Sequence, residues 1–348
     1  MDESNTEYKD PSIQREAEEF DDGKPKEKSD FLPEIKITVP SQADPLLSER
    51  IRAFLSRSYR ENKHQEGLEE VKLPKEETMI NLSLEILREY LEENGLASKV
   101  IDMKNIHIIN EEVWERWMKN NEKIANNAGF YQAIDSAILM PRTSEMLDAE
   151  FLQTLIHELT HHNSFTSFRS DDGSRSVYKD QSGFMLIRRD SETSSDEEIG
   201  RTFNEAVTML MTSRLMEKIK SRGVLAHEEV PLEIRDKVES TTGLSESKIL
   251  GLKMISKDND EAEATICLDD STRQECYAII NLVHKIYTRG IHEHQNQDQI
   301  MDEFIEAYFS GNLHTVVRLT DRTFGDGTFR KILSMNSPEE LYDFITAI

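Results

Sequence analysis

The stretch His157-Glu158-Leu159-Thr160-His161 combines residue types and spacing that can hold a metal ion. On a helix, residues four apart differ by about 400° of rotation, so the two imidazoles emerge about 40° apart on one face. Both can then reach a single ion at the zinc–nitrogen distance of about 2.0–2.1 Å. Glu158 lies about 100° round from His157, beside the ion and not on it. A carboxylate in that place can hold and deprotonate a water. On the same helix Phe151, Leu152, Leu155, Ile156 and Leu159 fall at about 120° to 260° from His157, an apolar stripe that must face a core.

Two histidines do not complete a catalytic zinc site; a third protein ligand is required, with one position left for water. The longer pattern H-E-x-x-H-x-x-G-x-x-H is not met, because Ser164 and Ser167 stand where its glycine and last histidine belong. His162 points about 100° away from His161 and is poorly placed to join the same ion. A carboxylate in Phe203-Asn204-Glu205-Ala206-Val207-Thr208, on the first turns of the next helix, could approach from a neighbouring element.

With HELTH at 157–161, NEAVT at 204–208 and a strand at Ala137–Met140, the chain resembles the zincin metallopeptidases, in their glutamate-zincin branch. The resemblance extends over about residues 100–220, and HExxH is its specific part. It implies Zn²⁺ held by His157, His161 and Glu205, with Glu158 as the general base of peptide-bond hydrolysis. It also matches Asn204 to the asparagine that precedes the family's ligand glutamate. Met209 stands where the family often has an aspartate that supports a ligand histidine, so that support must come from elsewhere, Thr208 being one candidate. The gap between the two motifs is longer than in the best-known members, which a hairpin insertion would explain. Family resemblance further implies that the sheet edge nearest the active-site helix, here within 129–140, pairs with an extended peptide or protein substrate.

The elements that must position these residues follow from patterning. Residues 1–30 hold eleven acids and five bases with few apolar side chains, and 1–45 is expected to be a disordered acidic tail. A short helix at Leu46–Tyr59 and a charged linker fill 46–76. The spacing predicts a helix from about Thr78 to Leu91 stopped by Gly95, a buried strand at Ile106–Ile109 and a helix at Glu111–Asn120. It then predicts a strand at Ala137–Met140 ended by Pro141, and a helix from about Ser144 to His162. A hairpin is expected from Ser176 to Ile187 around a KDQSG turn, followed by a charged loop at Arg188–Glu198. From Thr202 onward the chain reads as almost entirely helical, with capping boxes at Ser271-x-x-Gln274 and Ser337-Pro-Glu-Glu340. The expected fold class is α+β: a zincin-like catalytic domain at 77–220, then a helical subdomain at 221–348 that completes the cleft.

Composition narrows the function classes. The chain has 348 residues and a formal net charge of −25, which opposes a role in neutralising nucleic-acid phosphates or anionic membrane surfaces. Cys267 and Cys276 are too few for a disulfide framework or a four-thiolate zinc site, and are expected as core residues on or near a helix. The N-terminus has no secretory pattern and no apolar run reaches membrane-spanning length, so a cytoplasmic location is expected. Ile291-His-Glu-His294 reads as a polar loop, and His284 and Tyr178 as packing or surface residues. Two other readings stay open: a zincin-like module that binds metal without turnover, and a helical interaction protein in which HELTH is incidental.

Overall fold

The structure is a computed structural model describing residues 36–38, 51, 69–99, 101–120, 128–133, 136–143, 146–170, 177–189, 196–223, 249–256, 262–270, 273–289 and 296–348. The stretch 1–30, nearly all of 46–59, Ser271 and the 291–294 loop lie outside these residues. The fold is mixed α+β, as the pattern of elements implied, with small sheets and a helical C-terminal region.

The first sheet has strand order β2-β3-β5-β4, with β2 at Glu69–Glu70, β3 at Ile106–Asn110, β4 at Phe130–Gln132 and β5 at Ala137–Arg142. β3 and β5 are parallel, in register Ile106↔Ile138 to Asn110↔Arg142. Parallel neighbours need a crossover, and helix α2 (Glu111–Asn120) supplies it. β4 turns back antiparallel to β5 and forms the sheet's outer edge. Pro141 does not end β5 as expected; it pairs with Ile109 inside the strand. β4 reaches only to the level of Leu139, so Pro141 borders an open edge where its missing N–H costs nothing.

Helix α1 spans Pro74–Glu93 and starts earlier than the apolar pattern indicated, because Pro74 and a bond from the Leu73 N–H to Glu76 Oε2 (2.7 Å) open it. Helix α3 covers Asp148–Asn163 and packs against α1, the first sheet and α4 (Arg201–Ser221). α4 is buried nearly all round, from Phe203 to Ile219. Thr208 and Thr212 survive within it because each Oγ1 donates to the carbonyl four residues back, at 2.9 Å.

Four strands between α3 and α4, joined at one edge by β1 from far upstream, form a second sheet of order β1-β6-β7-β8-β9: Lys36–Thr38, Thr166–Ser170, Val177–Ser182, Met185–Arg189 and Asp196–Ile199. The expected hairpin is present with a tighter turn. Lys179, Asp180 and Gln181 belong to β7, and only Gly183 and Phe184 form the loop, Gly183 having the positive φ (54°) a two-residue turn demands. Part of the expected charged loop is instead β9, whose acids pair in register with Arg188 and Arg189 of β8.

The region after Thr202 is not almost entirely helical. β10 (Ile249–Ser256) and β11 (Ala262–Leu268) form an antiparallel hairpin ahead of five helices: α5 (Gln274–Arg289), α6 (Gln297–Ser310), α7 (His314–Phe324), α8 (Thr328–Leu333) and α9 (Pro338–Ala347). Ser337 caps α9 as expected, accepting from the Glu340 N–H at 3.2 Å, but the Glu340 carboxylate returns to the Asn336 N–H. Cys267 lies on β11 and Cys276 on α5, both buried as free thiols, and burial pushes Cys267 up to about 12. One buried apolar cluster runs from Met79 through α3 and α4 to Ile345. Among the described residues no helix is long and apolar enough to cross a membrane.

Candidate metal centre

Helix α3 divides as the helical wheel requires. Phe151, Leu152, Leu155, Ile156 and Leu159 are all buried in the core. On the opposite side the His157 and His161 side chains keep 16% and 14% of their exposure, and Glu205, on the first turns of α4, keeps 33%. His157 Nε2 and His161 Nε2 are 3.1 Å apart. Glu205 Oε2 lies 3.3 Å from the first and 3.2 Å from the second. Among the described residues these form the one group of His, Cys, Asp and Glu side chains close enough to share an ion.

The spacing can be compared with coordination geometry. Bonds of about 2.0–2.1 Å to a tetrahedral ion place neighbouring donor atoms about 3.3–3.4 Å apart. The three separations fall at or just under that edge length. Three electron-pair donors so close repel one another unless a cation or a shared proton lies between them. Two imidazole nitrogens and a carboxylate oxygen, all partly exposed, form a donor set that suits zinc.

The charges point the same way. Burial acts to pull His157 down, but the hydrogen bond with Glu205 and the nearby carboxylates of Glu158, Glu205 and Asp270 outweigh it and hold His157 up at about 9. Burial acts to raise Glu205, yet the two facing histidines keep its carboxyl well below the usual range. The site thus favours positive charge, whether a proton or a metal ion.

Glu158 is buried, and burial raises its carboxyl above the ordinary value against the pull of His157 and His161. Its carboxylate accepts a hydrogen bond from the backbone N–H of Tyr131 on β4. That edge strand can approach because position 129 has no side chain: a Cβ on Gly129 would stand 2.7 Å from Thr154 Cγ2 and 3.2 Å from Glu158 Cγ. The helix carrying the expected base and the open edge of the first sheet are therefore in contact.

Residues far along the chain complete the surroundings. Tyr308 of α6 is fully buried, with its hydroxyl 3.4 Å from His161 Nδ1 and 2.8 Å from Thr208 Oγ1. Thr208, expected as possible support for a ligand histidine, thus reaches His161 only through Tyr308. Met209 is core. Asn204 braces the fold, since its Oδ1 accepts the Phe184 N–H at 2.9 Å and ties the β7–β8 turn to α4. Lys179 of β7 lies in the field of Glu198 and Glu205, and burial lowers its ammonium below the ordinary value. Sequence reasoning named neither Tyr308, Asp270 nor Lys179 as part of the site, and no local pattern marks them.

The other candidates stay apart. His162 is turned into the protein behind the helix, with Nδ1 3.3 Å from Ser136 Oγ and its ring edge-on to Tyr131. His284 bonds with the side chain of Gln297 on the surface, and the Tyr178 side chain lies outside the described residues. Comparison of the chain with protein-family models, with curated proteins and with solved structures returned no match.

Proposed function

We propose that this chain is a zinc-dependent peptidase with a zincin-like catalytic unit of the glutamate-zincin kind. The observation that carries the reading is the meeting of His157 Nε2, His161 Nε2 and Glu205 Oε2 within 3.1–3.3 Å of one another, beside the buried carboxylate of Glu158. When bound by these three residues, zinc would supply a Lewis acid and bring the pKa of a water to about 7.

The chain's own groups account for the rest. Glu158 adjoins the ligand histidines without being one of the three donors, so it is free to take a proton from the attacking water and return it to the leaving amine. Its burial favours the protonated form after that first transfer, which suits a group that must act next as an acid. The outer edge of β4 lies against the base, with the Tyr131 N–H bonded to Glu158, so an extended peptide would meet the remaining main-chain groups of that edge. A substrate strand laid along β4 would carry its backbone past the base.

The test is hydrolysis of a mixed peptide library by the full chain, followed by mass spectrometry. The expected result is cleavage that stops on chelation, returns with zinc and is absent from Glu158→Gln. Stoichiometric zinc without cleavage of any peptide would favour a binding module, and absence of bound zinc would remove the metal reading altogether.

A further inference from the structure

We infer that Tyr308 is a positioning residue for the metal centre, its hydroxyl accepting the Nδ1–H of His161 so that the Nε2 lone pair faces the ion. The inference rests on the metal reading above and concerns the support of one ligand. It follows from counting protons in a buried network. Thr208 Oγ1 has one proton and lies 2.9 Å from the Asn204 carbonyl, which can only accept. Ser164, whose side chain also bonds to the Tyr308 hydroxyl, lies with its Oγ 2.7 Å from the His161 carbonyl. Carbonyls lie within reach of both protons, and Ser182 Oγ lies 3.4 Å from Ser164 Oγ as a further partner. In the arrangement inferred, both protons go to the carbonyls, Tyr308 donates its own proton to Thr208 Oγ1 at 2.8 Å, and its lone pair faces His161 Nδ1 at 3.4 Å. An imidazole whose Nδ1 carries the proton has Nε2 free for a metal.

The phenol is fixed from several sides. The Phe165 N–H donates to the Tyr308 carbonyl at 3.1 Å, and the Gly183 N–H donates to the Phe165 carbonyl at 2.8 Å. A Cβ on Gly183 would stand 2.6 Å from Tyr308 Cε2, so the β7–β8 turn closes directly on the ring. Phe184 and Phe309 pack against it at centroid distances of 6.2 and 5.1 Å. The inserted sheet and helix α6 thereby hold one hydroxyl against one ligand nitrogen.

The experiment uses the full chain with zinc as the probe. Metal-free protein is titrated against a chromophoric chelator, and imidazole ¹⁵N spectra are recorded at saturating zinc. Removing the partner of a ligand histidine commonly weakens metal binding by about 10–100-fold, and Tyr308→Phe is expected to fall in that range. Its spectrum is expected to lose the slowly exchanging Nδ1–H of His161 while zinc remains bound. If Tyr308→Phe does not fold, Thr208→Val combined with Ser164→Ala removes both groups that can take the phenol's proton and is expected to weaken zinc. Unaltered zinc affinity in whichever variant folds, including affinity unaltered beside a lowered melting temperature, would overturn the inference. Failure of the unmodified chain to bind zinc would overturn the proposed function first, and this inference with it.

Discussion

His161 and His162 are consecutive in the chain and occupy opposite environments, one on each side of α3. His161 faces His157 and Glu205, whose carboxylate favours positive charge there. His162 faces the interior, where burial, with Lys99 nearby, pushes it down to about 3 and keeps it neutral. Lys99 is itself lowered to about 7 by burial, and its ammonium donates to the Ser164 carbonyl. One side of the helix concentrates carboxylates around a space for a cation, whereas the other disfavours charge of either imidazole or ammonium. About 100° of helical rotation separates the two outcomes. Residue type alone does not make a ligand; the charge of the wall opposite decides.

The largest effect that would sharpen this contrast is on turnover. Glu158→Gln is expected to lower peptide hydrolysis by about 10²–10⁴-fold with zinc content unchanged, since it removes proton transfer and no ligand. Steady-state rates and metal analysis on the same preparation check both halves. The two histidines should next separate cleanly. His161→Ala is expected to abolish stoichiometric zinc, whereas His162→Ala should keep one zinc per chain and lose roughly 2–3 kcal/mol of stability through lost packing. Loss of zinc in both variants, measured beside urea unfolding, would erase the distinction between the two sides.

A smaller effect is expected at the turn that braces the site. Gly183→Ala meets an unfavourable φ of +54° and contacts with Asn204 Oδ1 and Tyr308, which should cost about 1–3 kcal/mol. Denaturant unfolding checks it. The last effect belongs to the interior side and appears as a pH slope, small over any one pH unit. Between about 7 and 10.5 the unfolded chain holds a proton on Lys99 that the folded chain has released, so this group makes stability rise with pH across that window. His162 acts in the same direction between about 3 and 6.5. Lys99→Met should therefore flatten the upper slope, by at most about 1.4 kcal/mol per pH unit, in unfolding midpoints measured across the window.

What could be read in the sequence was what depends on neighbours along the chain. The histidine pair, Glu158 and the apolar stripe all follow from the period of one helix, which brings the two Nε2 atoms 3.1 Å apart and buries the stripe. Glu205 could be singled out because it sits in a short motif at a helix start, although only the fold brings it across 44 positions to His161. Tyr308 could not, because a lone tyrosine 147 positions beyond its partner carries no spacing signal. Strand β9 reads as a polar loop until Arg188 and Arg189 are known to lie opposite its acids. The β10–β11 hairpin was hidden for a related reason: its identity depends on the pairing of Ile249 with Leu268 and its neighbours, not on a strong turn motif between them. Pro141 misled because a strand interior normally needs the N–H that proline lacks, and the open edge beside it could not be known in advance.

The central claim is that two imidazoles and one carboxylate share a single ion. X-ray absorption at the zinc edge on the full chain, loaded to saturation and freed of excess metal, tests it most directly. The expected result is one zinc per chain with four nitrogen or oxygen neighbours at about 2.0–2.1 Å and the outer-shell scattering of two imidazoles, lost in Glu205→Ala. Sulfur neighbours at about 2.3 Å, or zinc well below one per chain, would contradict it.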